Sequence, residues 1–535
     1  MPSTGGRTRG RIGVGPRWFL AVPGPAMKVA VIGAGHQGLV GALILARAGA
    51  EVTVFEQATQ AGGCVWSEQR GQVLVERGAW EHGGIVELAE SLGLEAYGLH
   101  YREHSLLSAT RFGDGEQRLF ATDLEQTVAG LGADADRYRQ FAELAGSLFD
   151  MLDAFATPPT LTEVAATLSP LRGGDRLFRT LLRPAQVVIA EAVRDPHTRA
   201  ALELYAAHGQ IPPWAPGSGM FGLLLPAGHG GRAARPVGGS GALTAALVGA
   251  LEAAGGRLLL GQAVTQIRPQ PQGAVVCTAE DQLRVDRVLS SIDVRRLARL
   301  VPELPAELAG ELGALHSGHF NISELTVSLS YRIAPLLPLD ADRDAVWFTQ
   351  KAPSDLGVGL AEVLAGQLPS RPSAMVGQVD QGPGTGGAVW LSSVVPLQRN
   401  DGAWSTTTEQ EAGTRVVDAV SEILDCDLWQ GLDEIVVSGP LTWGARLASD
   451  GNPNHLDLSI DQLLGWRPGG LDRWQQRYPW LSWCGAGVHP GGGLSGASGV
   501  AAAEAILAGN HALRRTNELV GLWQAFGAYR QLRRK

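Results

Sequence analysis

The chain has 535 residues, of which 45% are hydrophobic and 18% are charged, and its formal net charge is −9. This composition is that of an ordinary globular protein with room for two or three domains, and it argues against an intrinsically disordered chain. The negative charge disfavours nucleic acid and anionic membranes as direct partners.

The cysteines, histidines and hydropathy exclude further kinds of site. The four cysteines lie far apart without a C-x-x-C motif, and the histidines form no H-E-x-x-H motif, so we expect neither a metal site nor a dithiol centre. No apolar run approaches the roughly 18 residues that a membrane span requires. We expect a cytoplasmic protein, with any membrane contact limited to its periphery.

The first 26 residues contain several arginines and no acid, and their short apolar piece is interrupted by prolines. This pattern is unlike the apolar core of a signal peptide. Met27 stands directly before a strand of the nucleotide-binding type, which usually begins close to a start residue. We therefore expect residues 1–26 to form a disordered extension.

The stretch from Met27 to Glu56 predicts a strand, a tight turn, a helix and a second strand. The strand Lys28–Ile32 is apolar on both faces, as a buried parallel strand is, and a G-x-G-x-x-G motif follows it. In such motifs the first glycine permits the turn, the second admits a pyrophosphate to the backbone, and the third lets the helix approach the strand. The predicted pyrophosphate site consists of Gly33, Gly35, His36, Gln37 and Gly38.

The second strand, Glu51–Phe55, delivers Glu56 to its carboxyl end. A carboxylate at this place can accept both hydroxyls of an adenosine ribose and would repel a 2′-phosphate, which argues against NADP. Glu56 and Gln57 are the predicted ribose site. The Gly62-Gly63 pair that follows resembles the second fingerprint of two-dinucleotide-binding-domain flavoproteins, a resemblance that implies FAD bound in an extended form.

The next segment enters a loop and a helix. Residues Gly71–Gly84 read as a short strand and a loop, and Ile85–Leu94 as a helix. Trp80 and His82 in the loop could face a substrate, but a packed tryptophan and a surface histidine are the interpretation we favour.

From about Leu106 to Ala207 the pattern is helical, most clearly over Tyr138–Phe155 and Arg176–Val193. We interpret this region as an inserted helical subdomain. The proline- and glycine-rich segment Ile211–Gly241 follows, with an apolar centre at Met220–Pro226. A loop of this length is commonly functional, and an interdomain linker is the alternative. The apolar centre of this segment favours the functional interpretation, in which the loop forms the mouth of an apolar tunnel.

The chain then returns to strand and helix alternation. A helix is predicted over Ala242–Ala254, and further strands are predicted up to Ile292. The regular alternation of Ser323–Ile333 is typical of a half-buried antiparallel strand, and strands are also predicted at Ala388–Pro396 and Glu434–Val437. We expect these three strands to form an antiparallel sheet that caps a substrate cavity.

The last informative stretch, Trp480–Ala508, reads as a strand, a glycine-dense turn and an alanine-rich helix. No strand with a terminal acid follows, so we reject a second nucleotide fold. The start of this helix would instead point at the flavin, where its dipole would stabilise the anionic reduced ring.

Three sets of residues together resemble the phytoene dehydrogenase-related FAD oxidoreductases, the carotenoid desaturase and isomerase group. They are the opening motif with Glu56 and Gly62-Gly63, the GGSGAL of Gly238–Leu243, and the GAGVHPGGGLSGASG of Gly485–Gly499. The PGSG of Pro216–Gly219 and the residues Asn452–Pro468 are similar to one branch, the bacterial relatives of pyridine nucleotide-disulfide oxidoreductase domain-containing protein 2. Many relatives carry threonine where this chain has Val488.

The resemblance implies roles for further residues. The backbone of Val264 would read the adenine edge, and Gly485, Gly487, Leu494, Ser495 and Gly496 would approach the isoalloxazine and ribityl chain. Hydride transfer to flavin N5 often needs no acid or base. If one is needed, the candidates are His455, Asp457 and His489, although all three can instead brace loops and turns.

These inferences predict an α/β protein: a Rossmann-type FAD-binding domain with an inserted α+β substrate domain that contains an antiparallel sheet and a helical subdomain. The predicted divisions are an FAD-binding domain of residues 27–105, 236–300 and 441–510, a substrate domain of residues 106–235 and 301–440, and a C-terminal helix of residues 511–535.

The predicted function is that of an FAD-dependent dehydrogenase, desaturase or isomerase that acts on a small, apolar, carotenoid- or lipid-like substrate. The electron acceptor would be oxygen or a quinone. NAD is disfavoured, because there is one complete nucleotide fingerprint and FAD would occupy it. The alternatives are a flavin amine oxidase and a non-catalytic FAD-binding scaffold that binds a partner.

Overall fold

The structure is a computed structural model that describes residues 26–153, 155, 158–339, 344–380, 386–468 and 478–509. All but one residue of the extension predicted at 1–26, and the whole C-terminal helix predicted at 511–535, lie outside the described residues.

The strands and helices are numbered here in chain order. The strands are β1 Lys28–Ile32, β2 Glu51–Phe55, β3 Ser67–Arg70, β4 Val73–Glu76, β5 Tyr101–His104, β6 Leu106–Phe112, β7 Gln117–Ala121, β8 Ala233–Pro236, β9 Arg257–Leu259, β10 Gln266–Pro269, β11 Ala274–Cys277, β12 Gln282–Val285, β13 Arg287–Ser290, β14 Ile322–Tyr331, β15 Trp347–Gln350, β16 Ala374–Asp380, β17 Gly387–Pro396, β18 Leu432–Ser438 and β19 Leu481–Trp483. The helices are α1 His36–Arg47, α2 Val86–Ser91, α3 Leu124–Ala129, α4 Ala135–Asp153, α5 Leu161–Leu168, α6 Gly174–Leu182, α7 Ala185–Ala192, α8 Pro196–Ala207, α9 Gly219–Gly222, α10 Leu224–Gly228, α11 Gly241–Ala253, α12 Val294–Leu300, α13 Ala306–Ala314, α14 Asp355–Leu364, α15 Thr406–Leu424, α16 Pro440–Leu447 and α17 Ala497–Gly509.

A parallel sheet of five strands, in the order β19-β13-β1-β2-β9, carries the predicted nucleotide motif. Its strands come from distant parts of the chain, because β13 pairs with β1 and β19 then extends the same edge. Helices α1, α11 and α17 share one apolar core on one face of the sheet. A second core on the opposite face includes residues of the small antiparallel sheet β10-β11-β12 and of helices α12 and α13. Layers on both faces explain why β1 is apolar on both sides.

A second large sheet has seven strands in the order β18-β14-β17-β16-β15-β6-β7, and all its pairings are antiparallel except that of β15 with β6. The strands predicted near 323, 388 and 434 correspond to β14, β17 and β18. β14 differs from expectation because it is buried on both faces. Leu325 and Leu329 pack in an apolar core on one side, whereas Thr326 on the other donates a hydrogen bond to the carbonyl of Arg77. Hydroxyl side chains on that face let the sheet pack against a neighbouring loop while remaining hydrogen-bonded.

The helical prediction for residues 106–207 is correct over most of its length but wrong at its start. Residues Leu106–Ala121 form the hairpin β6-β7, and these strands join the edge of the large sheet. The segment predicted as one helix over Arg176–Val193 is two helices, α6 and α7, separated at Pro184. A proline has no N–H for a helical hydrogen bond and disfavours a helical residue before it, which explains the break.

The prediction of a tunnel mouth at Met220–Pro226 is wrong. This segment forms the short helices α9 and α10, and Phe221, Leu223 and Leu225 are buried in the core of the helical subdomain. The apolar residues are therefore explained by packing between helices. Further along the segment, β8 pairs with β5 in a two-stranded ribbon.

The described residues were searched for membrane-spanning helices and for groups of metal-binding side chains. Within the described ranges, no helix combines the length and apolar character needed to cross a bilayer. In the same part of the chain, no group of three or more histidine, cysteine or acidic side chains is arranged to hold a metal ion.

Candidate functional site

A long cleft lies where strands of the parallel sheet reach their carboxyl ends. Gly33 after β1, Glu56 after β2, Ser291 after β13 and Gly485 after β19 all line it. Ligands in open α/β sheets bind at this edge. The cleft encloses about 1760 Å³ of space including its open mouth, and it continues from the parallel sheet to residues of the large sheet such as Trp390. It therefore extends from the predicted nucleotide motif to the large sheet.

The three motif glycines have the three different environments that the sequence predicts. Gly33 has φ +94°, in the region that favours glycine. A Cβ on Gly38 would lie 2.4 Å from the carbonyl oxygen of Gly33, so only glycine lets α1 approach the turn this closely. A Cβ on Gly35 would meet no atom within 4 Å, because Gly35 borders the cleft. A ligand can thus come into contact with the bare backbone there.

The N-terminus of α1 suits an anionic group. Its N-cap is Gly35, and no side chain in the described part of the chain caps the free N–H groups of the first turn. Such groups, together with the helix dipole, bind phosphates. His36 and Gln37 line the cleft beside this turn, and the side-chain oxygen of Gln37 accepts a hydrogen bond from Gly499 N at 3.0 Å. Gln37 therefore links α1 to the start of α17.

Glu56 and Gln57 border the cleft at the end of β2. The Glu56 carboxylate is buried and accepts hydrogen bonds from Ala34 N and Ala58 N, both at 2.8 Å. Each carboxylate oxygen can accept a further bond, so the fixed carboxylate can still take ribose hydroxyls. The Gln57 amide donates to the carbonyls of Ala445 and Arg446, which makes its role a link to α16.

Three further residues that are predicted to bind the nucleotide also line the cleft, namely the Gly62-Gly63 pair and Val264. Gly62 and Gly63 line the cleft, and Gly62 forms a bridge with Gly35, so the Gly-Gly loop lies against the first motif. Val264 lines the same cleft as Glu56, and its backbone N–H and C=O form no hydrogen bond with other described residues. Those groups are available to an adenine edge.

The turn before α17 also reaches the cleft, at the end of the edge strand β19. Gly485 and Leu494 line the cleft, whereas Gly487, Ser495 and Gly496 are not among the residues that line it. A Cβ on Gly487 would come within 3.3 Å of the His455 Cβ, and one on Gly496 within 2.3 Å of Leu88 Cδ2. These two glycines allow close packing around the turn.

Only one of the three predicted acid–base candidates lies in the cleft. His455 lines it, and burial lowers the pKa of its imidazole, which favours the neutral form. Asp457 is buried away from the cleft and accepts hydrogen bonds from the backbone N–H groups of Gly318 and His319. His489 is also outside the cleft, and burial lowers its pKa to about 4. Asp457 therefore braces a loop, as the alternative interpretation predicted.

The end of the cleft away from Glu56 has an aromatic and apolar wall. Trp80 and Trp390 stack with ring centroids 5.2 Å apart, and Val346 and Met375 lie in the same wall. The carboxyl side chain of Glu324 also faces this end and accepts a hydrogen bond from Ser392 Oγ at 2.6 Å. This end is suited to a second molecule with an apolar body.

The structure corrects the predictions for the loop that contains Trp80. Trp80 is packed, as we favoured, but it also forms part of the cleft wall. His82 is fully buried and within hydrogen-bond distance of Ser240 Oγ (3.0 Å), so the expectation of a surface histidine is wrong. Burial lowers the pKa of His82, with Arg235 contributing, and keeps its ring neutral.

Sequence analysis missed several residues of the cleft: Glu324, Met375, Trp390, Trp443 and Arg446. All of them belong to the large sheet or to α16, which follows its edge strand. Trp390 lies within the strand predicted at Ala388–Pro396, but the residues that face the cleft depend on register and on packing between the domains. A large aromatic residue in a predicted capping strand was the signal that could have singled it out.

His36 gives the apoprotein an expected pH dependence. Burial lowers its pKa from 6.5 to about 4. Between these values the unfolded chain binds the proton and the folded chain does not, so the free energy of unfolding should fall as the pH falls from about 6.5 to 4. In apoprotein melting curves, His36→Asn should show a shallower fall than wild type. His100→Asn, at a side chain 58% exposed, is the control and should behave like wild type; equal slopes for all three proteins would contradict the prediction.

Comparison with known proteins matches residues 38–507 to the family described as flavin containing amine oxidoreductase. One of the limonene dehydrogenase subunits of Castellaniella defragrans is 32% identical over 139 residues, and the match spans a quarter of each chain. Pyridine nucleotide-disulfide oxidoreductase domain-containing protein 2 of Mus musculus is 23% identical, over 92% of this chain and 96% of the mouse protein.

Two solved structures show the same fold. Putrescine oxidase, in a wild-type structure bound to putrescine, has a TM-score of 0.59 and 16% identity, over 92% of this chain and 99% of its own. Cyclohexylamine oxidase from Brevibacterium oxydans IH-35A has a TM-score of 0.56 and 16% identity, over 92% of this chain and 100% of its own. The predicted fold class, a Rossmann-type FAD-binding domain with an inserted substrate domain, is confirmed. The cofactor is FAD, and the chain is an FAD-dependent oxidoreductase that belongs to the flavin containing amine oxidoreductase family.

Proposed function

We propose that the protein oxidises an amine whose carbon body is apolar. The observation that carries this proposal is the carboxyl side chain of Glu324 among the tryptophans, Val346 and Met375 at the far end of the cleft. An ammonium group is attracted both by a carboxylate and by the face of an indole ring. The apolar wall would bind the carbon body of the same molecule.

The position of Glu324 supports a role close to the reacting centre. Burial, with the negative charge of Glu324 contributing, raises the pKa of the Cys64 thiol to about 12. Cys64 directly follows the Gly-Gly loop, so Glu324 acts electrostatically on the part of the cleft where the two domains meet. The hydrogen bond from Ser392 Oγ orients the carboxylate there.

The proposed reaction converts a primary amine into an imine, with loss of two electrons and two protons. Bound FAD supplies the acceptor for the hydride, and reoxidation by oxygen would release hydrogen peroxide. Glu324 would hold the amine nitrogen, and the tryptophan wall would exclude water and align the C–H bond. His455, neutral and inside the cleft, is the side chain that we propose for proton uptake.

Glu324→Gln should lower kcat/KM for the best amine by about ten-fold to one hundred-fold, because it removes a charge-assisted hydrogen bond. The flavin content and the visible spectrum should stay unchanged. The measurement is hydrogen peroxide release over a panel of aliphatic and arylalkyl amines, together with anaerobic bleaching of the flavin. The matched control is Glu252→Gln, an exposed position on α11. Unchanged kinetics in Glu324→Gln would overturn the role of this carboxylate.

A second candidate is the dehydrogenation or isomerisation of an apolar, carotenoid- or lipid-like molecule, with oxygen or a quinone as acceptor. The tryptophan and methionine wall favours it, since that surface is matched to a hydrocarbon. Anaerobic bleaching by terpenoid hydrocarbons, with no response to any amine and no effect of Glu324→Gln, would support this candidate over the first.

A further inference from the structure

Arg446, in the last turn of α16, is a cation in the dinucleotide part of the cleft for which the nucleotide motif gives no role. Its Nε donates to the carbonyl of Gly63 at 2.7 Å, and its guanidinium lies over the Trp66 ring at 3.8 Å. Arg446 also lines the cleft. It reaches the cleft from the segment that follows β18 of the large sheet.

Arg446 has no direct counter-charge among the described residues. No carboxylate there forms an ion pair with it, and its hydrogen bonds go to the carbonyls of Gly63 and Ala61. Burial lowers the pKa of its guanidinium more than the carboxylates of Glu56 and Glu68 raise it from beyond ion-pair distance. A partly buried cation without a direct counter-charge is costly, and an anionic ligand in contact with it would offset that cost.

The same turn of α16 contacts the predicted nucleotide site at three places. Gln57 donates to the carbonyls of residues 445 and 446, Arg446 donates to the Gly-Gly loop, and a Cβ on Gly63 would lie 3.4 Å from Gly35 Cα and 3.9 Å from Leu447 Cδ2. Gly35 and Gly62 are bridged. The guanidinium thus lies beside the Gly-Gly loop, which in turn contacts the predicted pyrophosphate site at Gly35.

We infer that Arg446 binds the pyrophosphate of FAD. It supplies a fixed positive charge that complements the N–H groups at the start of α1, and it does so from a segment continuous with β18. Cofactor binding would therefore hold the segment after the large sheet against the nucleotide domain. This inference depends on FAD as the cofactor and not on which substrate is oxidised.

The test measures binding of FAD, ADP and adenosine to the apoprotein of wild type, Arg446→Gln and Arg446→Lys by calorimetry. Arg446→Gln should weaken FAD and ADP by about ten-fold to one hundred-fold, because it removes a charge-assisted contact to phosphate. Adenosine, which has no phosphate, should bind as it does to wild type. Arg446→Lys should retain part of the affinity, and the dependence of FAD affinity on salt should be weaker in Arg446→Gln than in wild type.

Two further measurements separate a contact to phosphate from a purely structural role. Arg332→Gln, at a side chain 89% exposed on the protein surface, should bind all three ligands normally. The melting temperature of each apoprotein reports whether the fold is intact. Equal weakening of adenosine and ADP in Arg446→Gln, or unchanged affinity for FAD, would overturn the inference.

Discussion

A Gly35→Val variant is expected to purify as a folded but colourless protein. Gly35 has φ −67° and ψ 161°, which any residue can adopt, and a Cβ there would meet no protein atom within 4 Å. The apoprotein should therefore accept the side chain. FAD should bind poorly, because the branched side chain would occupy the place of the pyrophosphate. We expect the affinity for FAD to fall by at least about 100-fold, or ~3 kcal/mol. Visible absorbance and titration of the apoprotein with FAD measure this loss.

Two further glycine variants serve as comparisons for Gly35→Val. Gly146→Val, in α4, is the control, because a Cβ there also meets no atom within 4 Å and the position is far from the cleft, so flavin content should be normal. Gly38→Ala should lower the melting temperature of the apoprotein, since its Cβ would lie 2.4 Å from Gly33 O and 2.7 Å from Ser291 Oγ. A yellow Gly35→Val protein with one FAD per chain would show that the pyrophosphate does not pass over Gly35.

The contrast between these glycines illustrates which parts of the site could be predicted from sequence. The strand, turn, helix and terminal acid are contiguous in the chain, so local patterns determine their geometry and Glu56 could be assigned directly. The hairpin β6-β7 is also formed by residues that are close in the chain, and the Asp114-Gly115 pair between two apolar runs is the sequence pattern that indicates its turn. The helices that follow dominate the hydrophobic pattern of residues 106–207, which is why that pattern predicts helix at the hairpin as well.

The residues at the tryptophan end of the cleft could not be predicted from the sequence, because they come together only when the strands pair. Glu324, Met375 and Trp390 meet Trp80 only after β14, β16 and β17 pair and the sheet packs on the nucleotide domain. Which side of each strand faces the cleft depends on register, and a shift of one residue would reverse it. Arg446 is a similar case, since its position beside Gly63 depends on the path of the chain after β18.

The wall of this end depends on one glycine, and Gly377→Ala should damage substrate oxidation severely while FAD remains bound. A Cβ on Gly377, in β16, would lie 2.2 to 2.4 Å from three atoms of the Trp80 ring. Two neighbours hold the ring, since the Arg235 guanidinium lies 3.2 Å from its centroid and Trp390 stacks against it, so any shift of the ring disturbs these contacts. Arg235 is itself held by a buried ion pair with Glu76 at 2.9 Å.

We expect Gly377→Ala to cost about 1–3 kcal/mol of stability, the usual range for overpacking, and to lower kcat/KM by ten-fold or more through displacement of Trp80. Trp80→Phe in the same chain removes ring atoms at the point of overlap and should restore part of both losses. The double-mutant cycle measures this coupling. The control is Gly357→Ala in α14, where a Cβ meets nothing within 4 Å. If the effects of Gly377→Ala and Trp80→Phe are additive, the overlap with Trp80 is not the cause of the damage, and the wall is held by other contacts.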